Sequence, residues 1–322
     1  MKKFLSLIMI FFLLSTALPA TALAQKVLVP VGKLVGLHIK DDTVTVAAFD
    51  EALGAAAQEA GLRVGDELVE IDGRSIKSAA DIQDVLSADP RQVELTIARG
   101  GRRKNIQLEP PAGKTGRKLG VYLRQGISGI GTLTWYDPDH KTFGSLGHGV
   151  SSRQGMLLKL QEGTVCSAEV AAVIPGQPGQ PGLLKGRPES ENEVGTLYRN
   201  TPQGVFGKAK ADWLGQVLPV ASFSQVHTGP ASIRSTVSGR EPQDYSVEIL
   251  KIYPETREDC RNFLLKVTDP QLLSITGGIV QGMSGSPIIQ DGRLIGAVTH
   301  VMVSDPTTGY GIFIGNMLDA AA

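Results

Sequence analysis

Apolar and polar residues alternate in short runs along most of this chain. Val44 and Val46 are spaced by threonines, and Val93, Leu95 and Ile97 by Glu94 and Thr96. Each run reads as a half-buried strand. Similar runs fall at residues 127–135, 165–174, 245–252 and 294–303. Helical signals are fewer. Residues 51–60 are Ala-rich and stop at Gly61, and Ile82, Val85 and Leu86 form one apolar face behind a capping-box pattern at Ser78 to Asp81. Gly65-Asp66 and Asp72-Gly73 are tight-turn signals. Many short strands with Gly/Pro turns predict an all-β barrel or sandwich beyond residue 113. Residues 174–195, rich in Pro, Gly and charge, read as a surface excursion.

Length and charge narrow the picture. With 322 residues the chain accommodates two domains, and Pro110-Pro111-Ala112-Gly113 reads as the linker between them. Basic and acidic residues balance at 32 each, which argues against a nucleic-acid partner or a polyanionic substrate. At the start, Lys2 and Lys3 precede an apolar run, and Ala22-Leu23-Ala24 ends it. This is the layout of a secretory signal over residues 1–24. The remainder is expected to be exported, and an uncleaved leader would anchor it to the membrane. The two cysteines, Cys166 and Cys260, lack metal-ligand spacing and read either as separate thiols or as one bridge.

Candidate chemistry concentrates at Gly282-Met283-Ser284-Gly285-Ser286-Pro287. A serine between glycines can sit on a tight turn with its hydroxyl exposed. Gly282 lets its own N–H and that of Ser284 converge as an oxyanion hole. Ser286, after Gly285, fits a turn role. A serine attacks an amide only if a base takes its proton. Among five histidines, His148 lies in a glycine-bracketed loop, Gly147-His148-Gly149. His300, on the strand after the serine, is the rival, with a pocket-wall reading beside its reading as base.

Two resemblances follow from these motifs. Ala60-Gly61-Leu62, Val64-Gly65-Asp66 and Ile71-Asp72-Gly73 resemble the PDZ family over residues 27–109. The segment Val35-Gly36-Leu37-His38-Ile39 looks like its peptide-binding loop, whose N–H groups would hold a peptide beside an open strand edge. The serine loop resembles that of chymotrypsin-like peptidases. Together with residues 143–150 and 296–311, it resembles the SpoIVB peptidase family of spore-forming bacteria. That resemblance implies a mainly β protein: a small α/β PDZ-like domain, then a chymotrypsin-like double β-barrel peptidase domain over residues 114–322. It places the nucleophile on Ser284, the base on His148 and the acid on Asp269, with Asp244, Asp259 and Asp305 as competitors. It also implies no metal or organic cofactor, protein substrates bound through the PDZ-like domain, self-processing, and signalling between compartments during spore formation. Two further readings stand beside it: an inactive PDZ adaptor on a peptidase-like fold, and an envelope quality-control protease of the HtrA kind.

Overall fold

The computed structural model describes residues 26–152 and 155–322, so the expected leader lies outside the described residues. Two closed antiparallel barrels, each of six strands, account for most of it. In the first, the strand Leu34–Phe49 pairs with Val121–Asp137 on one edge and with Glu162–Ile174 on the other. Thr142–Ser145, Gly204–Ala209 and Leu183–Thr201 complete the ring. Its interior is filled by Val35, Leu37, Ile39, Phe143, Val165 and Val205.

The second barrel runs Gly229–Ser235, Gln243–Ile252, Phe263–Val267, Asp305–Phe313, Arg293–Met302 and Pro287–Gln290, and closes where Ile233 meets Ile288. The period-two pattern is plain in its second strand. Tyr245, Val247 and Ile249 are buried, while Ser246, Glu248 and Leu250 face solvent. Closure leaves neither barrel with an unpaired edge.

The PDZ-like unit has its own core of Val44, Leu68, Ile71, Ile82, Leu95 and Ile97. Helix Ala79–Leu86 starts with the expected reciprocal cap: the Ser78 hydroxyl accepts from the Asp81 N–H, and the Asp81 carboxylate accepts from the Ser78 N–H. Asp72 and Gly73, both at positive φ, make the tight turn between Ile71 and Arg74.

Two sequence expectations are corrected and a third is refined. The PDZ-like unit does not precede the barrels; it is inserted between the first two strands of the first one. The strand Leu34–Phe49 is barrel wall over residues 34–39 and PDZ-like sheet over residues 44–49, and Val121–Asp137 runs back beside it through both units. Residues 27–40, expected in the PDZ-like domain, therefore belong with the barrel. Pro110 to Gly113 is no free linker either. Ala112–Gly113 pairs with Gly116–Arg117 as a hairpin, held because Leu108 and Leu119 on its two sides are both buried in the PDZ-like core. Residues 174–195 stay largely at the surface as expected, but residues 183–195 are regular and belong to the long strand Leu183–Thr201, whose Leu184 N–H donates to the carbonyl of Gln281 (2.8 Å). The two cysteines are separate thiols. Among the described residues no helix is long and apolar enough to cross a membrane.

Candidate active site

The turn around Ser284 is held from three sides. Gly282 and Gly285 take positive φ, as the tight curve requires, and a side chain at Gly285 would collide with the Thr132 carbonyl. From the second barrel, the Val298 carbonyl accepts the Gly285 N–H (2.7 Å). From the residue just before the long strand, the Gly182 carbonyl accepts the Gln281 N–H (2.9 Å). From the first barrel, Thr132 grips both flanks: its N–H donates to the Ser284 carbonyl (3.0 Å) and its hydroxyl to the Gly282 carbonyl (2.8 Å). The Met283 side chain is fully buried beneath the turn. Among the described residues, the N–H groups of Gly282 and Ser284 donate to no protein acceptor. Two donors left free on one tight turn are what an oxyanion hole needs. Ser286 is buried and donates to the Ser235 hydroxyl (2.9 Å), a structural role.

His148 comes from the first barrel. After strand Thr142–Ser145 the chain takes two positive-φ residues, Leu146 and Gly147, which throw the imidazole toward the second barrel. Gly147 packs so closely there that a Cβ would come within 2.9 Å of Thr299 and 3.0 Å of Ile312. The Nδ1–H donates to the Gly149 carbonyl (3.0 Å). Because a carbonyl only accepts, the proton sits on Nδ1 and leaves Nε2 bare, the tautomer a general base requires. Burial holds this imidazole below its ordinary pKa, partly offset by the Gly149 bond.

His148 and Ser284 line one cleft of about 340 Å³ between the barrels. In this conformer they are not hydrogen-bonded; the Ser284 hydroxyl donates to the Thr299 carbonyl (2.8 Å). The ring of His300 lies beside that of His148, centroids 5.4 Å apart, and burial together with the neighbouring His148 pulls its pKa down to about 4. His300 thus stands as a neighbour of His148. The other histidines are engaged elsewhere: His38 with Ser128, His140 with Asp137, and His227 with Asp291.

Two expected site assignments are corrected. Asp269 does not reach His148. Its carboxylate caps helix Pro270–Thr276, accepting from the Leu272 N–H (3.0 Å), and also accepts from the Ser246 N–H (3.2 Å). Asp244 and Asp259 are engaged bidentately by Arg234 and Arg257, and Asp305 binds Thr307 and Thr308. Among the described residues no carboxylate touches His148, and the Gly149 carbonyl does the orienting work expected of an acid. Second, Val35, Gly36, Leu37, His38 and Ile39 cannot receive a peptide strand. Residues 35–39 pair with residues 127–131 on one edge and 163–167 on the other.

The groove that can receive one lies on the PDZ-like unit. Helix Ala79–Leu86 faces residues 118–123 across a cavity of about 410 Å³ lined by Ile82, Leu86, Leu119, Val121 and Leu123. Residues 121–125 pair with residues 44–49 on one edge, and among the described residues no strand pairs on the other. The readable signal was Leu119-Gly120-Val121, a glycine opening an alternating run after the closing strand.

Comparison with known proteins agrees with this architecture. The model of the SpoIVB peptidase S55 family matches residues 115–318, and a PDZ domain model matches residues 52–99. A double barrel with a serine on a glycine turn and a histidine facing it defines a serine peptidase. The chain belongs to the SpoIVB peptidase S55 family. Among solved structures, the PDZ domain of an SdrC-like protein from Listeria monocytogenes is 23% identical, covering 26% of this chain and 87% of its own, with a TM-score of 0.23. The active form of the Rv3671c protease from M. tuberculosis is 14% identical, covering 61% of this chain and 75% of its own, with a TM-score of 0.35. Human heparin binding protein is 15% identical, covering 55% and 72%, with a TM-score of 0.28.

Proposed function

We propose that this serine peptidase is an exported endopeptidase that cleaves selected protein targets, and itself, in signalling between compartments during spore formation. The observation that supports this chemistry is the cleft lined by Ser284, His148 and Gly282, with His148 Nδ1 engaged by the Gly149 carbonyl so that Nε2 is left to act as the base. Rotation of the Ser284 hydroxyl from Thr299 toward His148 starts the reaction. Its oxygen attacks the scissile carbonyl while Nε2 takes the proton. The two N–H groups stabilise the oxyanion, His148 protonates the leaving amine, and water then releases the acyl-enzyme. The role in spore formation, self-cleavage and export rest on family membership and on the leader-like residues 1–24. Targets would enter through the groove beside residues 118–123, which adds a peptide as a strand.

The adaptor reading has two observations in its favour: Ser284 is turned to Thr299, and among the described residues His148 has no carboxylate partner. Labelling of the full chain with a fluorophosphonate separates the two. An adduct mapped to the Ser284 peptide, absent in Ser284→Ala, supports the peptidase; an unlabelled folded protein supports the adaptor.

A further inference from the structure

The mouth of the first barrel, where the cleft meets His148, lacks one side chain. Residues facing the barrel interior come in pairs across the two long strands: Ile39 opposite Ile127, Leu37 opposite Gly129, and Val35 opposite Gly131. That 131 points inward is shown by its surroundings, since a Cβ there would collide with Leu146 and come within 3.1 Å of Leu37. Two residues earlier on the same face, a Cβ at Gly129 would meet no atom within 4 Å. The absent side chain leaves a hollow walled by Leu37, Ile39, Ile127 and Leu146, and it opens directly beside Ser284 and His148. Among the described residues no Asp, Glu, Lys or Arg lines it.

From this geometry we infer that the hollow at Gly129 is a specificity pocket for a large apolar side chain on the leaving-group side of the scissile bond. The inference rests on the peptidase reading and names part of its substrate. Its direction follows from the chemistry. His148 hands a proton to the leaving amine, so the chain beyond the scissile bond departs on the side of His148. The apolar walls belong to that same barrel. A peptide whose first residue after the cut is Leu, Ile, Met or Phe would place that side chain where Gly129 has none. Ala would leave the hollow unfilled, and Asp or Lys would bury a charge against aliphatic walls.

The test uses the full chain and one acyl sequence throughout, joined either to peptides varied at the first leaving-group residue or to methanol as a methyl ester. In the wild type, kcat/KM for Leu or Phe should exceed that for Ala, Asp or Lys by about tenfold or more, as apolar pockets discriminate. Gly129→Leu fills the hollow from the protein side, at a position where a Cβ meets no atom within 4 Å and no positive φ is needed, and should flatten that preference across the peptide series. Ile127→Lys, at the half-buried rim, should shift preference toward Asp and Glu and keeps the question decidable if Gly129→Leu fails to fold. Wild type that cleaves the ester but shows no apolar preference overturns the pocket alone, as does Gly129→Leu that folds and keeps the preference. An enzyme that hydrolyses neither ester nor peptide and takes no fluorophosphonate overturns the peptidase reading, and the pocket with it.

Discussion

Thr132 is the residue whose loss tests the oxyanion hole most cleanly, because it touches no substrate. Its side chain is fully buried, and its hydroxyl makes one bond, to the Gly282 carbonyl at 2.8 Å. That carbonyl belongs to the peptide unit between the two that carry the proposed oxyanion donors, so the bond fixes the plane that links them. Thr132→Val keeps shape and volume and removes only the donor. The Thr132 N–H bond to Ser284 remains. A buried carbonyl left without a partner costs about 1–3 kcal/mol of stability. Outright removal of one oxyanion donor costs about 10²–10³ in kcat, and loosening both is expected to cost a fraction of that, about 10- to 100-fold, with KM nearly unchanged. Thr132→Ser, which restores the hydroxyl, should recover most of the rate. A control lies two residues along. Thr134 is equally buried, yet its hydroxyl has no partner among the described residues, so Thr134→Val should be neutral or stabilising and fully active. Steady-state kinetics on a peptide substrate, with thermal melts of all four proteins, decide the matter. Thr132→Val with wild-type kcat at a temperature where it is folded would refute the argument.

Further outcomes follow from the same structure. Because Asp269 caps a helix and does not touch His148, Asp269→Asn should retain activity, and Asp269→Ala should lose about 0.5–2 kcal/mol of stability, read by denaturant melts, with turnover intact at temperatures where it folds. A dead but folded Asp269→Asn would restore it as the acid. For pH, the base must be neutral, and burial sets His148 below 6.5, so the acid limb of kcat/KM should fall below pH 6.5; a limb at or above neutrality would contradict this. Stability carries the same sign. His148 and His300 have folded pKa values below their unfolded ones, so the unfolded chain binds more protons, and Tm should drop as pH falls from 6.5 toward about 4, the His300 value. A Tm flat across that window would show that neither ring is desolvated. In the groove, Leu123→Asp should weaken cleavage of a full-length target and spare a short peptide; equal loss on both would remove the tethering role.

The sequence was legible where chemistry is local. Gly282 and Gly285 around Ser284, and Gly147 and Gly149 around His148, announce turns that expose a side chain, and both residues line the same cleft. Ser78 and Asp81 form the reciprocal cap their spacing suggests. Partnership between strands was not legible. Alternation at Val35, Leu37 and Ile39 states that one face is buried, but a barrel wall and a groove edge share that pattern, and only the partners at residues 127–131 and 163–167 distinguish them. Asp269 carried a competing local signal. An Asp followed by Pro270 and Leu272-Leu273 is a helix start, with Asp at the N-cap and Pro at the first helical position. Thr132 carried no signal at all, because its importance lies in a contact 150 residues away.

The insertion of the PDZ-like unit into the barrel has a mechanical consequence. One strand, Val121–Asp137, supplies the open groove edge at residues 121–125, the wall of the Gly129 hollow, and then Thr132, which holds the nucleophile turn. At about 3.3 Å per residue, Leu123 and Thr132 stand about 30 Å apart along a single backbone. Between them Gly126, at positive φ, marks the register shift where the strand passes from one unit to the other, and a side chain there would collide with the Ile39 carbonyl. A target bound at the groove is therefore attached to the same strand that fixes the oxyanion hole, with no flexible linker between. The arrangement also dictates how the two units can be separated. Removing residues 27–109 would take away the barrel strand at residues 34–39 and open the wall beside Ser284, so loss of activity would say nothing about the groove. Removing residues 41–125 and closing the gap with a short turn keeps residues 34–39 paired with residues 127–132. Only the second deletion leaves the catalytic cleft whole and asks what the groove contributes.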